Sequence, residues 1–230
     1  MKYIIMCGGE YRHWETPKQL LKINGEEIVA RTIRLLREQG EEDIAISSNN
    51  DTFAQFGVPL LKHDNSFRVL AENGKVTGCK GWWCDAFYPT DEPVTYLFGD
   101  VVYSPDAIRI IRETDTDSIE FFASAPPYDK RYFKPYQEPF AFKVADQERL
   151  RQGVRDCKTN TENGMFWRHP IAWELWTSIN HGILEKRIDV YRDRYTAIRD
   201  YTCDIDTKDD VPQFERILAN EARYCLHSKK

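Results

Sequence analysis

Apolar residues along this chain come in short blocks that switch between two spacings. Lys2 to Met6 (KYIIM) is a compact apolar run that stops at glycines, as expected for a central strand of a parallel sheet. Ile28 to Glu38 (IVARTIRLLRE) instead gathers Ile28, Ala30, Ile33, Leu35 and Leu36 near one helical face, and Gly40 supplies the stop. Asp43 to Ser47 (DIAIS) predicts a second strand, and Val58 to Leu61 a weaker third. Lys80 to Phe87 is expected to be helical, with the strand Val94 to Phe98 after it. Ser104-Pro105-Asp106 opens a helix through Arg112, with Ser104 as its cap and Pro105 in its first turn. Ser118 to Ala123 reads as a further strand.

This alternation predicts an α/β fold: a Rossmann-like, mostly parallel mixed sheet flanked by helices. Past Ala125 the pattern changes. PPYDKRYFKPYQEP, rich in proline and aromatics, reads as a loop, and residues 125–190 as an excursion over the site. Helix-like segments follow near Asp146 to Gly153 and Pro170 to His181. Strand-like pieces surround Ile188 to Tyr191 and Thr202 to Ile205, and Asp209 to Ala222 predicts a last helix. With no repeat, linker or low-complexity tract, residues 1–230 are read as a single domain.

Composition narrows the class. The chain has 230 residues, 41% apolar and 30% charged, enough for one full core and unlike a disordered chain. Its net charge of −5, with both signs interspersed, offers no nucleic-acid surface. No apolar run approaches a membrane span and no signal peptide precedes the first strand, so a cytoplasmic protein is expected. The six cysteines (Cys7, Cys79, Cys84, Cys157, Cys203, Cys225) include no CxxC pair and read as reduced thiols. The five histidines (His13, His63, His169, His181, His227) lack metal-like spacing; only His13 lies in a loop suited to phosphate.

Three stretches carry candidate chemistry. The first is MCGGEYRHWETPKQLLKING, residues 6 to 25. In open α/β sheets ligands bind beyond the carboxyl ends of the strands, where Met6 to Lys18 would lie. Glycines let backbone amides approach phosphate oxygens, and Arg12 and Lys18 add fixed positive charge for a triphosphate. A glycine-rich turn with two solvated cations is the plain alternative. Neither a Walker GKS/T nor a GxGxxG fingerprint is present.

The second stretch is LFGDVVYSP, residues 97 to 105: Asp100, at a strand end after glycine, can reach a hard metal ion held by phosphates. A turn aspartate is the competing account. The third is YTCDIDTKDD, residues 201 to 210, where strand alternation puts Asp204 and Asp206 on one face. Asp209 or Asp210 fits the start of the next helix.

These stretches together resemble the nucleotidyltransferase superfamily, which activates sugar phosphates and phospho-alcohols with NTPs. Its members open with a strand, then roughly (A/L)AGxGxR, a spacer, PKxL, and a short turn into a helix. Cys7-Gly8-Gly9-Glu10-Tyr11-Arg12, Pro17-Lys18-Gln19-Leu20 and Ile23-Asn24-Gly25-Glu26-Glu27-Ile28 match in turn. Glu10 stands where the second glycine is usual, so its amide would serve the phosphates less well.

The resemblance implies Mg²⁺ held by Asp100 and Asp206, with Asp204 two residues before the latter. It implies catalytic roles for Arg12 and Lys18, and a nucleotide bound by Cys7, Gly8, Gly9, Glu10 and Asp100. The segment before the GD strand, GCKGWWCDAFY, would read the base with Lys80 and Gly81; Ser47-Ser48-Asn49-Asn50 is a polar turn that could add contacts.

The acceptor side is expected between Phe121 and Trp176, with residues 125–190 as the acceptor-binding excursion. Lys130, Arg131 and Lys134 suit an acceptor phosphate; a solvated charge run is the alternative. Trp167, Trp173 and Trp176, with Trp82 and Trp83, are enough for a quaternary-amine cage or for a small core. Glu174 and Asp85 are available to hydroxyls.

The outline is most similar to phosphocholine cytidylyltransferases and their bacterial surface-polymer relatives, which favours CTP. The implied reaction is transfer of CMP to a choline-, polyol- or sugar-phosphate with release of pyrophosphate, for bacterial surface (capsule) polysaccharide. A sugar-1-phosphate uridylyl- or thymidylyltransferase, and a non-catalytic NTP-binding regulatory domain, are the alternatives. A related glycosyltransferase fits less well, since the metal-like DxD is late in the chain. A homodimer is left open.

Overall fold

In the computed structural model, residues 1–8, 14–63, 68–70, 76–79, 82–126, 134 and 136–220 are described. Seven of their strands form one sheet: β1 (Lys2–Met6), β2 (Ile44–Ser47), β3 (Leu60–Leu61), β4 (Val94–Phe98), β5 (Ile119–Ser124), β6 (Pro139–Val144) and β7 (Thr196–Ile198). Their spatial order is β7-β5-β6-β4-β1-β2-β3. Every pairing is parallel except the two made by β6, which runs against both β4 and β5. The sheet is therefore mixed and mostly parallel. Tyr3 to Met6 and Val94 to Phe98 are buried along their whole length, as expected where both faces are covered.

Helices α1 (Ile28–Glu38), α2 (Pro105–Glu113), α3 (Gln147–Glu162), α4 (Ala172–His181) and α5 (Asp210–Ala219) complete the described framework. Neighbouring residues of β6 point to opposite faces, and two of them show which helix lies where. Phe142 packs with Trp176 of α4, ring centroids 6.2 Å apart. Lys143 points the other way, and its Nζ donates to the carbonyls of Ile111, Arg112 and Thr114, closing the C-terminus of α2. Helices thus cover both faces.

The ends of these helices follow their sequences. Asn24 and Gly25 both have positive φ, 51° and 88°, and close a two-residue hairpin that delivers the chain to α1. Ser104 Oγ accepts from the Ala107 amide at 2.9 Å, with Pro105 in the first turn of α2. Gly40 leaves α1 at φ 83°.

Four expectations are corrected. Pro139–Val144 is a strand within the stretch treated as an excursion; being buried from Phe140 to Val144, it shows no alternation to betray it. Helix α3 runs on to Glu162 because its buried stripe is made of Leu150, Gly153, Cys157 and Asn160, mostly small or polar residues. Ile188 makes only an isolated bridge to Phe166, and the strand of that region is β7. Of the expected helix at Lys80 to Phe87, residues 80 and 81 lie outside the described residues, and Trp83–Ala86 is a single 3₁₀ turn.

Gly153 sets the closeness of α3 and α4: a Cβ there would lie 2.3 Å from Ile179 Cγ1. Gly153→Ala is expected to cost about 1–2 kcal/mol, overpacking outweighing the roughly 1 kcal/mol of helix propensity gained. Urea denaturation measures it; a variant as stable as the parent would show that the two helices part freely. None of Cys7, Cys84, Cys157 and Cys203 forms a disulfide. Among the described residues, no helix is long and apolar enough to cross a membrane.

Candidate active site

The carboxyl ends of β1 and β4 meet edge to edge. Gly99 donates its amide to Met6 O at 3.1 Å, and a Cβ on it would fall 2.7 Å from that oxygen and 2.8 Å from Cys7 Sγ. Only glycine fits so close an approach of backbone to backbone, and it puts Asp100 at the rim of the sheet. Beyond Asp100, Val101–Val102 pairs antiparallel with Cys203–Asp204, and Ile205 donates its amide to Asp100 O at 3.1 Å. This ribbon brings the late acidic stretch beside the GD strand.

A buried clamp holds the ribbon. Ser104 Oγ donates to Asp200 Oδ2 at 2.5 Å, the Thr202 amide donates to Asp200 Oδ1 at 2.7 Å, and Thr202 Oγ1 accepts from the Ser104 amide at 3.0 Å. Burial raises the Asp200 pKa despite these bonds. Arg31 of α1 adds a bond to the Tyr201 hydroxyl at 3.1 Å. Asp210, read from sequence as a helix-start charge, accepts the amides of Asp206 and Thr207 at 2.8 Å each. It fixes the loop that carries Asp206.

Two lysines enter the acidic group. Lys18 Nζ lies 3.0 Å from Asp100 Oδ2 and 3.9 Å from Asp206 Oδ1, and donates to Ile205 O at 2.6 Å. Lys134 Nζ lies 2.5 Å from Asp204 Oδ1, 2.7 Å from Asp206 Oδ2 and 3.6 Å from Glu138 Oε1. Because β6 runs antiparallel, Glu138 at its start reaches the same edge as the ends of β1 and β4. Oxygens of Glu138, Asp204 and Asp206 come within 4.8 Å of one another.

Electrostatics follow from this crowding. Burial, with help from neighbouring carboxylates and against Lys134, pushes Asp204 up to about 7 and Glu138 up to about 8. Burial acts the same way on the more open Asp206, but the Lys134 hydrogen bond and charge outweigh it, and its pKa falls below the ordinary value. At Lys18 burial is outweighed by Asp100, Asp204 and Asp206, which hold its pKa above the usual lysine value. Among the described residues, four carboxyl groups share two ammonium groups, so hard oxygen donors outnumber the cations. That donor set fits Mg²⁺.

The carboxylates form one side of a cavity of about 360 Å³; Trp83, Phe98, Ile171 and Ala172 form an apolar side. Met6, Gly8 and Gln19 also line it, and Gln19 Nε2 donates to Gly8 O at 3.4 Å. Cys7 is buried, with its amide bonded to Ser47 O at 2.9 Å.

The structure brings together Gly8, Lys18, Asp100, Lys134, Asp204 and Asp206. Gly9, Glu10, Arg12, Lys80, Gly81, Lys130 and Arg131 lie outside the described residues.

Trp173 and Glu174 are placed elsewhere. Trp173 is 2% exposed, set edge-on to Phe121 at 4.9 Å, with its indole N–H donating to Gln137 O. The Glu174 carboxylate accepts the Ile171 amide at 3.0 Å and Arg168 Nε at 2.7 Å, so it starts α4 instead of facing the cavity. Trp176 is core, Trp167 is 65% exposed beneath the Arg187 guanidinium, and Trp82 stacks on His169. Of the tryptophans considered for a cage, Trp83 alone lines this cavity. Asp85 is taken by Lys158 at 2.7 Å. Glu138 was missed by the sequence reading; its one signal was a lone carboxylate closing the proline-rich run.

A mostly parallel mixed sheet with helices on both faces and a charged cavity at its carboxyl edge defines a nucleotidyltransferase-like α/β protein. Residues 3–114 match the model of the MobA-like NTP transferase domain. The crystal structure of a protein from Bacillus anthracis, described as a glucose-1-phosphate thymidylyltransferase and solved with a sucrose, shares the fold with a TM-score of 0.57. The likeness covers 94% of each chain at 13% identity. No curated protein matches the sequence. The match to an NTP transferase domain thus lies in the N-terminal part of the chain, and the solved neighbour shares its overall fold.

Proposed function

We propose that the protein transfers a nucleotidyl group, CMP from CTP in the favoured case, to the phosphate of a small phosphorylated acceptor, releasing pyrophosphate. The observation that carries this is the convergence of the carboxylates of Asp100, Glu138, Asp204 and Asp206 on one cavity at the carboxyl edge, with Lys18 and Lys134 paired to them. In this reading the nucleotide lies along Cys7 to Glu10, its triphosphate faced by Arg12 and Lys18 and its base by Lys80 and Gly81. Mg²⁺ would be held by Asp206 together with Asp100, Asp204 and Glu138, and would supply charge neutralisation at the α-phosphate.

An acceptor phosphate oxygen forms the new bond to the α-phosphorus as the α–β anhydride bond breaks and pyrophosphate leaves. The acceptor phosphate is already ionised near neutrality, so the site needs no general base; it positions groups and stabilises charge. Lys130, Arg131 and Lys134 face the acceptor phosphate in this reading, and the apolar wall of Trp83, Phe98 and Ile171 meets the remainder of the acceptor. A choline-, polyol- or sugar-phosphate, activated in the cytoplasm for surface polysaccharide, is the class proposed.

The Bacillus anthracis neighbour's description favours a second reading equally, a sugar-1-phosphate uridylyl- or thymidylyltransferase. The deciding experiment follows pyrophosphate release with Mg²⁺, each of the four NTPs and a panel of phospho-acceptors. Acceptor-dependent release with CTP is expected; release with UTP or dTTP and a sugar-1-phosphate would replace the favoured reading by the second. Tight NTP binding with no release from any pair would point to a binding-only domain.

A further inference from the structure

Lys134 is only 6% exposed, and its ammonium is already engaged: Asp204 Oδ1 at 2.5 Å, Asp206 Oδ2 at 2.7 Å, Glu138 Oε1 at 3.6 Å. Those same three side chains are the ones whose oxygens come close enough together to grip a single ion. An acceptor phosphate could not be held by an ammonium so committed. Nor could a divalent ion share its place, since Mg²⁺ binds carboxylate oxygens at about 2.0–2.1 Å. Two cations gripped by the same pair of oxygens would repel one another in a partly buried site, where screening is weak.

We propose that Lys134 is the resident cation of the Glu138, Asp204 and Asp206 cluster, that it yields this place to a divalent ion, and that its released ammonium then takes the acceptor's phosphate. This rests on the nucleotidyltransferase reading of the site. While Lys134 is in place it holds the three crowded carboxyl groups together, so the cation pocket is assembled before any metal arrives. The ribbon clamp and Asp210 keep the backbone of Asp204 and Asp206 fixed during the exchange; only the lysine side chain needs to swing. The exchange also imposes an order. Metal with nucleotide binds first, and the acceptor second, because the acceptor's counter-charge is released only by the metal.

The test is Mn²⁺ binding to the intact, nucleotide-free protein, followed by electron paramagnetic resonance. Lys134→Met and Lys134→Gln are each expected to bind Mn²⁺ about tenfold or more tightly than the parent, as the competing charge is removed. Adding Asp206→Asn to either should abolish the gain. Unchanged or weaker binding in the lysine variants, with Asp206→Asn alone still weakening Mn²⁺ binding, overturns the exchange and leaves the metal site standing. Binding indifferent to Asp206→Asn removes the metal site, and the exchange falls with it.

A second measurement needs no variant. Lys134 of the parent protein should resist acetylation by acetic anhydride in EDTA and become reactive with saturating Mn²⁺, as mapped by mass spectrometry. Equal protection in both conditions refutes the exchange.

Discussion

Replacing Asp206 by asparagine is expected to lower the rate of nucleotidyl transfer about a thousandfold while leaving the protein folded. Asp206 is where the site's charges meet. One of its oxygens faces Lys18 at 3.9 Å, the other Lys134 at 2.7 Å, and its amide is tied to Asp210. Asparagine keeps the shape and the backbone bonds but removes the charge that a divalent ion requires of its ligands. The stability cost should stay within about 1 kcal/mol, since the side chain is nearly half exposed and water screens its ion pairs. Pyrophosphate release titrated against Mg²⁺ is the measurement. The reading requires the loss to persist at saturating NTP; a loss confined to KM would mean that Asp206 binds nucleotide without serving the transfer. Asp100→Asn should behave alike. The double variant should add little, because residues that act as one unit lose their function together.

How much of this site could be seen in the sequence depends on how local each signal is. Gly8 after β1, Gly99-Asp100 and Asp204-Ile205-Asp206 were legible because each is a short stretch whose strand-end position follows from the residues themselves. Glu138 was not. Its place at the carboxyl edge depends on β6 running against β4 and β5, a non-local pairing, and β6 is a continuous buried run with no alternation to mark it. Lys134 was legible as a cation near phosphate, but not as the partner of Asp204 and Asp206, about seventy residues further on.

The tryptophans mislead for a different reason. Ala172 to Ile179 of α4 is buried on every side, so periodicity cannot tell which residues meet the cavity. The count of aromatics was informative about the core, where Phe121, Phe142, Trp173 and Trp176 pack together, and silent about the acceptor. Helix α3 shows the same effect in reverse. A stripe of Gly153, Cys157 and Asn160 is buried, yet it does not look apolar.

Lys18→Met should lower turnover by about 100- to 1000-fold, the range observed when one preorganised donor to a developing charge is removed. Lys18 is held from three directions: Asp100 Oδ2 at 3.0 Å, Asp206 Oδ1 at 3.9 Å and the Ile205 carbonyl at 2.6 Å. That fixes a single point of positive charge where the ends of β1, β4 and the acidic ribbon converge. Arginine should not restore activity, because a planar, forked cation cannot occupy a point shared by a carbonyl and two carboxylates.

The variant also carries a pH signature with a definite sign. Without Lys18, Asp206 loses a compensating charge that helps hold its pKa below the ordinary value, so its folded pKa rises relative to the parent. A carboxylate whose folded pKa is raised binds its proton more readily in the folded state, and its stability penalty fades as pH falls. The stability gap between Lys18→Met and the parent should therefore be widest near neutrality and narrow as the solution is acidified towards the carboxylate range. Thermal melts of both proteins across that interval measure it. A gap that stays constant with pH would mean that Lys18 supports the fold through packing alone, and its charge would then have to be sought in the chemistry.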